Sequence, residues 1–326
     1  MCSFTTKAMA LALAIMCYML VIGAASGNSP ASVSYEPFIL GPPKETAPVE
    51  ISARFDLYHI DQIDEENETF VFTGVLTLQW KDPRHAFDRV AVGVDEKVFQ
   101  GDYQFNELSP GWYPQLVLVN ASDAYEMGGV VLRVQPDGTS TLIQTLSASA
   151  KTAFDMRRYP FDTHRLEAIF EVLGFGRDEV LLRVEPALAG SVTSGVQVPE
   201  WTIASVGMSV RDRPAYYAGD SGVFVTFVVG VDVRRKPFYS SRLVIIPLIV
   251  IVLLSFSVFW MDKSSLGDRI SVSFIGILTG VTYQIVVNDH LPKIAYFTLM
   301  HGFLNLSFFT MCATVVINLV VAALDQ

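Results

Sequence analysis

Three stretches in the last third of the chain carry no Asp, Glu, Lys or Arg: Leu243 to Met261, Ile270 to Asn288, and Ile294 to Leu324. No other feature limits the fold as much. At about 1.5 Å of rise per helical residue, each is long enough to cross a hydrocarbon core of about 30 Å. They predict three transmembrane helices, over about 238–261, 269–289 and 294–324, which build an α-helical transmembrane bundle in residues 237–326. Pro247 interrupts the first helix, and lipid tolerates the carbonyl it frees only if a neighbouring helix supplies a donor.

The chain ahead of these spans has a different character. Residues 1–26 hold a lone Lys7, the apolar run Ala8 to Ala25 and small residues at its end, the arrangement of a secretory signal peptide cut near Ala25 to Gly27; a retained anchor helix is the alternative. Residues 27–48 are rich in Pro, Ser and Gly and read as a loose arm. Residues 49–236 alternate short β-branched and aromatic runs with turn residues, as in FVFTGVLTLQW and GVFVTFVVGVDV, at period two and without helical spacing. An all-β, immunoglobulin-like antiparallel sandwich is expected there. Cys2 and Cys17 lie in the leader and Cys312 in a membrane span, so the exported domain has no cysteine to pair.

With a net charge of −10 there is no basic footprint for nucleic acid. Lys and Arg are denser before the first helix (Arg234, Arg235, Lys236, Arg242) than after it (Lys263, Arg269), against the positive-inside bias. A signal peptide nevertheless exports a long domain largely regardless of its charge. The expected product is a multi-pass protein of the plasma (inner) membrane, with its N-terminal domain extracellular or periplasmic and membrane lipid as a partner.

The second span is the informative one. Asp268, Ser271, Ile275, Leu278, Thr282, Ile285 and Asp289 follow at intervals of three or four, so they share one helix face that reads acid, hydroxyl, apolar, hydroxyl, apolar, acid. A carboxylate near a bilayer costs several kcal/mol unless it meets water or a partner, so acids at both ends point to a water-filled path. Copies around an axis would form rings that concentrate cations, with Leu278 and its neighbours as an apolar constriction able to dewet. The bland alternative is a pair of interfacial acids, since Ser273, Thr279, Tyr283 and Gln284 place polar atoms on other faces.

In the β-domain, KTAFDMRRYPFDTHRL (Lys151 to Leu166) resembles the signature loop of the pentameric ligand-gated ion channels, with its aromatic-Pro-Phe-Asp centre at Tyr159, Pro160, Phe161 and Asp162. Thr152 and Leu166 stand where the animal members, the Cys-loop receptors, carry cysteines, which is the pattern of the bacterial branch. LQWKDPR, GWYPQLVLVN, RRKP and DRISVSFIGIL resemble further family motifs in the right order, so the likeness covers nearly the whole chain from about Val49. Gln115 replaces the acid usual after the Pro of the first binding loop. The family has a fourth membrane helix, whereas this sequence stops at Gln326, so either a truncated chain or a subunit that assembles differently is expected.

The resemblance implies roles. Asp268, Ser271, Ile275, Leu278, Thr282, Ile285 and Asp289 would line a homopentameric pore that passes cations, with Leu278 as the gate and Arg269 turned away from the lumen. Glu65, Pro160, Phe161, Asp162, Arg235 and Pro292 would couple the two domains, the alternative being a static surface salt bridge worth under about 1 kcal/mol. Tyr113, Glu171, Phe175, Tyr216 and Tyr217 would bind a small-molecule agonist, aromatic faces with a carboxylate suiting an ammonium group; protons or a small carboxylate are the other candidates. His301 reads as a packing or interfacial residue, and Asn67 and Asn120 fit glycosylation acceptors. No metal-ligand spacing, phosphate loop or nucleophile elbow stands out, so no metal, cofactor or enzyme activity is expected. A membrane-tethered binding or sensor protein without conduction is the alternative.

Overall fold

The computed structural model describes residues 41–43, 47–109, 111–185, 198–214, 222–238, 241–262, 265–288 and 295–324. The expected signal peptide, most of the arm, Tyr216, Tyr217, Asp289 and Pro292 lie outside the described residues.

Among the described residues ten strands form two sheets. The larger, in the order β3-β5-β6-β2-β1-β8, contains β1 (Val49–Asp64), β2 (Thr69–Lys81), β3 (Lys97–Gln100), β5 (Glu126–Val134), β6 (Thr139–Lys151) and β8 (Val180–Val184). The smaller, in the order β4-β7-β10-β9, contains β4 (Leu116–Leu118), β7 (Thr163–Val172), β9 (Trp201–Pro214) and β10 (Val223–Arg235). Inward residues of β2 alternate with partly exposed ones, as the period-two pattern requires. Phe55 of β1 meets Phe170 of β7 with ring centroids 5.9 Å apart, so the aromatic core joins the two sheets. The sandwich is not wholly antiparallel: Val49–Ala53 pairs in parallel with Val180–Val184.

Among the described residues three helices are long and apolar enough to cross a membrane, spanning Ser241–Trp260, Leu266–Asn288 and Leu299–Leu324. We call their α-helical parts α1 (Ile246–Phe256), α2 (Leu266–Asn288) and α3 (Leu299–Leu324). Their bounds differ from the sequence expectation for local reasons. Helix α2 starts ahead of Asp268 and places that acid in its first turn, where the positive end of the helix favours a carboxylate. Helix α3 starts later because the hydroxyl of Thr298 accepts the His301 N–H at 3.2 Å and caps it. Ahead of α1, Ser241–Ile245 winds as a π-turn and Pro247 sits in the first turn of the α-helix.

Small residues set the helix spacing. A side-chain carbon added at Gly276 would lie 2.5 Å from the Ser255 hydroxyl of α1, and one at Gly280 would collide with the Met311 methyl of α3. Close approach brings α1 and α2 within hydrogen-bonding reach, and the Tyr283 hydroxyl donates to the Leu243 carbonyl. That carbonyl is four residues before Pro247, whose missing N–H leaves it without its ordinary helical donor. Replacing Tyr283 by Phe should therefore cost about 1 kcal/mol and lower the thermal midpoint in detergent. An unchanged midpoint would show that another donor serves Leu243.

Candidate functional site

On α2, Asp268, Ser271, Ile275, Leu278, Thr282 and Ile285 are all exposed in the single chain, the last apolar three at 63%, 67% and 63% for Ile275, Leu278 and Ile285. The other side of the helix carries the buried Arg269, Ser273, Gly280 and Val287. Four polar residues off the stripe, Ser273, Thr279, Tyr283 and Gln284, each have a partner. Ser273 receives the Asn318 amide at 3.4 Å, Tyr283 donates to Leu243, Gln284 donates to the Leu304 carbonyl at 2.8 Å, and Thr279 donates to its own helix at Ile275, 2.8 Å away. Ser271 and Thr282 also donate back, to Gly267 at 2.8 Å and Leu278 at 2.9 Å. Their protons are committed to the backbone, so each presents an oxygen lone pair outward, which suits water or a cation.

The uncovered sides of α1 and α3 differ in chemistry. Between Leu243 and Trp260 the exposed residues are apolar except Ser257, and on α3 they are apolar except Asn305. Among the described residues of the three helices, α2 alone combines an exposed acid, hydroxyls and apolar residues along one stripe.

A second constellation lies where the sandwich meets the helices. Arg235, at the end of β10, donates from Nε to Asp162 Oδ1 at 2.9 Å and from Nη2 to Asp162 Oδ2 at 3.1 Å and Glu65 Oε1 at 2.7 Å. Its guanidinium carbon lies 4.1 Å from the Trp201 ring centroid and 4.9 Å from that of Tyr159. Asp162 and Arg235 are buried, so the alternative of a surface ion pair does not hold; removing either partner would strand a buried charge. His164 Nε2 lies 2.5 Å from Asp162 Oδ2, and because an ionised carboxylate only accepts, that ring nitrogen carries the proton. Burial alone would raise the Asp162 pKa, but the hydrogen bonds from His164 and Arg235 and the Arg235 charge bring it down to about 2.

The loop that holds Asp162 is fixed at both ends. The Asn120 amide donates to the Lys151 and Glu167 carbonyls at 2.7 Å each, and its oxygen accepts the Ile169 N–H at 3.0 Å. The glycosylation reading of Asn120 is therefore corrected: its nitrogen is committed to tying the loop's two stems together. The Tyr159–Pro160 peptide is cis, Pro160 is buried, and Phe161 is exposed at the tip. From below, the Tyr296 hydroxyl donates to the Phe154 carbonyl at 3.0 Å and accepts the Met156 N–H at 2.9 Å, while Leu299 N–H donates to the Arg157 carbonyl at 2.9 Å. The sequence reading missed Tyr296, His164 and Trp201, since no period or motif set them apart. Asn318 carried a usable signal, an amide deep in an apolar span, which usually has a partner.

The ligand candidates are only partly brought together. Phe175 meets Trp112 edge-on at 6.0 Å, and Glu171 lies on β7 opposite Val117 of β4 and Thr226 of β10. Tyr113 instead packs tilted against Phe105 at 4.5 Å between ring centroids, accepts from Gln115 at 3.0 Å, and lines a cavity of 260 Å³ with Leu76, Met127 and Gln144. Glu171 is 1% exposed and its Oε2 has no hydrogen-bond partner. Burial raises its pKa, partly offset by the charge of Arg213.

Comparison with known proteins covers both domains. The family model described as neurotransmitter-gated ion-channel ligand binding domain matches residues 32–237, and that described as neurotransmitter-gated ion-channel transmembrane region matches residues 244–325. A proton-gated ion channel of Gloeobacter violaceus is 28% identical over 257 residues, covering 79% of this chain and 68% of that protein. The gamma-aminobutyric acid receptor subunit theta of Mus musculus is 26% identical over 76% of this chain and 38% of its own length. Subunit rho-3 of Homo sapiens is 26% identical over 79% of this chain and 55% of its own length. The chain thus spans about half or less of those two receptor subunits.

The two buried carboxyls should respond to pH with opposite signs. Asp162 has a depressed pKa, so its stabilisation is present above its ordinary 3.8 and is lost as pH falls through about 2. Asp162→Asn should lower stability at neutral pH by about 3 kcal/mol and narrow the difference from the parent in acid. Glu171 has a raised pKa, so its contribution is fully present below the ordinary 4.5 and is lost as pH rises through the raised value. Glu171→Gln should therefore be more stable than the parent at neutral pH. Unfolding midpoints across the pH range check both, and parallel pH profiles in parent and variants would refute the assignment.

Proposed function

The chain belongs to the pentameric neurotransmitter-gated ion-channel family, and from that premise we propose that it is a subunit of a cation-conducting channel opened by a small ligand or protons acting on its extracellular sandwich. The family consists of ion channels rather than enzymes, with a membrane-embedded helical domain and an extracellular ligand-binding domain. The observation that carries the proposal is the uncovered stripe of α2, which bears Asp268, Ser271 and Thr282 while the uncovered sides of α1 and α3 are almost wholly apolar. Lipid accepts the second kind of surface; an exposed carboxylate beside hydroxyls needs water. Assembly of copies around an axis lined by α2 supplies that water and buries the flanks.

Kinship fixes neither the ligand nor the permeant ion, since the relatives include gamma-aminobutyric acid receptor subunits and a proton-gated channel. Preference for cations rests on Asp268, whose carboxylate opens the stripe at the inner end of α2 and repeats as a ring in the assembly. Gating follows from the junction. A ligand seated against the sandwich shifts the balance of packings at Glu65, Asp162 and Arg235, and the hydrogen bonds of Tyr296 and Leu299 carry the shift to the start of α3. The linker bearing Pro292 then moves α2, and the ring at Leu278 widens and wets.

Leu278→Ser should ease opening, because a hydroxyl in the constriction favours the wetted state. In bilayer recordings across a range of pH and candidate amines, the half-maximal stimulus should fall several-fold. An assembled variant that gates like the parent would remove Leu278 from the gate. A parent that assembles as a pentamer yet passes no current under any stimulus would favour a tethered sensor.

A further inference from the structure

Arg269 follows Asp268 directly, and the two neighbours have opposite fates. Asp268 is exposed on the stripe, whereas Arg269 is 6% exposed and packs against α3. An arginine in the first turn of a helix is disfavoured by the helix dipole, which pushes the cation away from the N-terminus. Its side chain is also long and flexible enough to swing around the helix toward water. In a pore, that swing would place a guanidinium beside the Asp268 carboxylates and cancel the charge that draws cations in.

Among the described residues no carboxylate pairs with Arg269, and its Nε has no hydrogen-bond partner. One side chain holds it. Arg269 Nη2 donates to Asn318 Oδ1 at 2.6 Å, and the Asn318 amide donates onward to Ser273 Oγ at 3.4 Å. Asn318 is 1% exposed, so this chain of contacts lies wholly between α2 and α3. A buried amide that gives its oxygen to Arg269 and its nitrogen to Ser273 has the geometry of a latch.

We propose that Asn318 is a positioning residue for ion selectivity: it holds Arg269 between α2 and α3 and so keeps the Asp268 ring negative. The inference rests on the reading of α2 as the pore helix. It assigns to a residue on the helix behind the pore a control over permeation that no lumen-facing side chain exercises alone. The latch is one charge-assisted hydrogen bond to an uncharged amide, so its removal frees the cation without stranding a counter-charge.

The test is the reversal potential of the full-length channel in bilayers under a sodium chloride gradient. The parent should follow the cation gradient. In Asn318→Leu most of that preference should be lost, because Arg269 reaches the lumen. Arg269→Gln alone should keep the preference, and Arg269→Gln combined with Asn318→Leu should restore it, which a mere packing role for Asn318 would not produce. If Asn318→Leu does not assemble, Asn318→Ser leaves a small polar group too short to reach Arg269 and should show the same loss. A cation-selective parent whose preference survives both Asn318 variants overturns the latch alone, as does a loss that the double variant fails to restore. A parent indifferent to the cation gradient overturns the Asp268 reading, and the latch with it.

Discussion

In hydrocarbon, a polar atom without a partner has no water to fall back on, and this constraint organises the helical domain. Pro247 removes a backbone donor from the first span, and the freed Leu243 carbonyl draws the Tyr283 hydroxyl of α2 toward α1. Gln284 reaches the Leu304 carbonyl of α3, and Ser273, Asn318 and Arg269 close the inner end. Gly276 and Gly280 let the helices come close enough for these bonds to form. Once those demands are met, the rotation of α2 is fixed, and the residues left uncovered include the whole Asp268-to-Ile285 stripe, flanked by Phe274, Thr279, Val286 and Asn288. The candidate pore face is thus selected by what the rest of the helix must do.

The same accounting governs the junction, with charge in place of amides. Arg235 is buried, and its cation is tolerable only because Asp162 and Glu65 take its donors and the Trp201 and Tyr159 rings face it. Asp162 in turn requires the loop tip to stay where it is. No cysteine is present to clamp that loop, and the work is divided among the Asn120 amide at its stems, His164 at its centre and Tyr296 from the membrane side. A clamp made of hydrogen bonds differs from a covalent one in being able to exchange partners within a few kcal/mol, which is the property a switching junction needs.

What was legible in the sequence followed from periodicity and charge. Uncharged length gave the spans, period two gave the strands, and intervals of three and four gave the α2 stripe, because each of these patterns is imposed by local geometry. Interval counting also left Ser273, Tyr283 and Gln284 as apparent noise on the wrong faces. Only tertiary structure explains them, since their partners Asn318, Leu243 and Leu304 lie on other helices. Likewise Trp201 and His164 join the Arg235 cluster from separate strands, and no local pattern records that meeting. The parallel pairing of β1 with β8 escaped for the same reason: a strand's own residues do not state which edge it will find.

The binding candidates show where motif reasoning reaches its limit. Tyr113 and Trp112 are adjacent in one motif, yet successive residues of an extended segment point to opposite sides. Trp112 goes to Phe175 and Trp80, whereas Tyr113 goes to Phe105 and a separate cavity. The surroundings of an aromatic chosen for its motif therefore change completely over a single residue of register. Glu171 is more telling than any of the rings, because its buried carboxyl leaves Oε2 unpaired and is stabilised in the protonated form. Folding has set aside a desolvated acid on the outer face of β7 without giving it a full complement of donors, and a proton or a cationic group is what such an acid would accept.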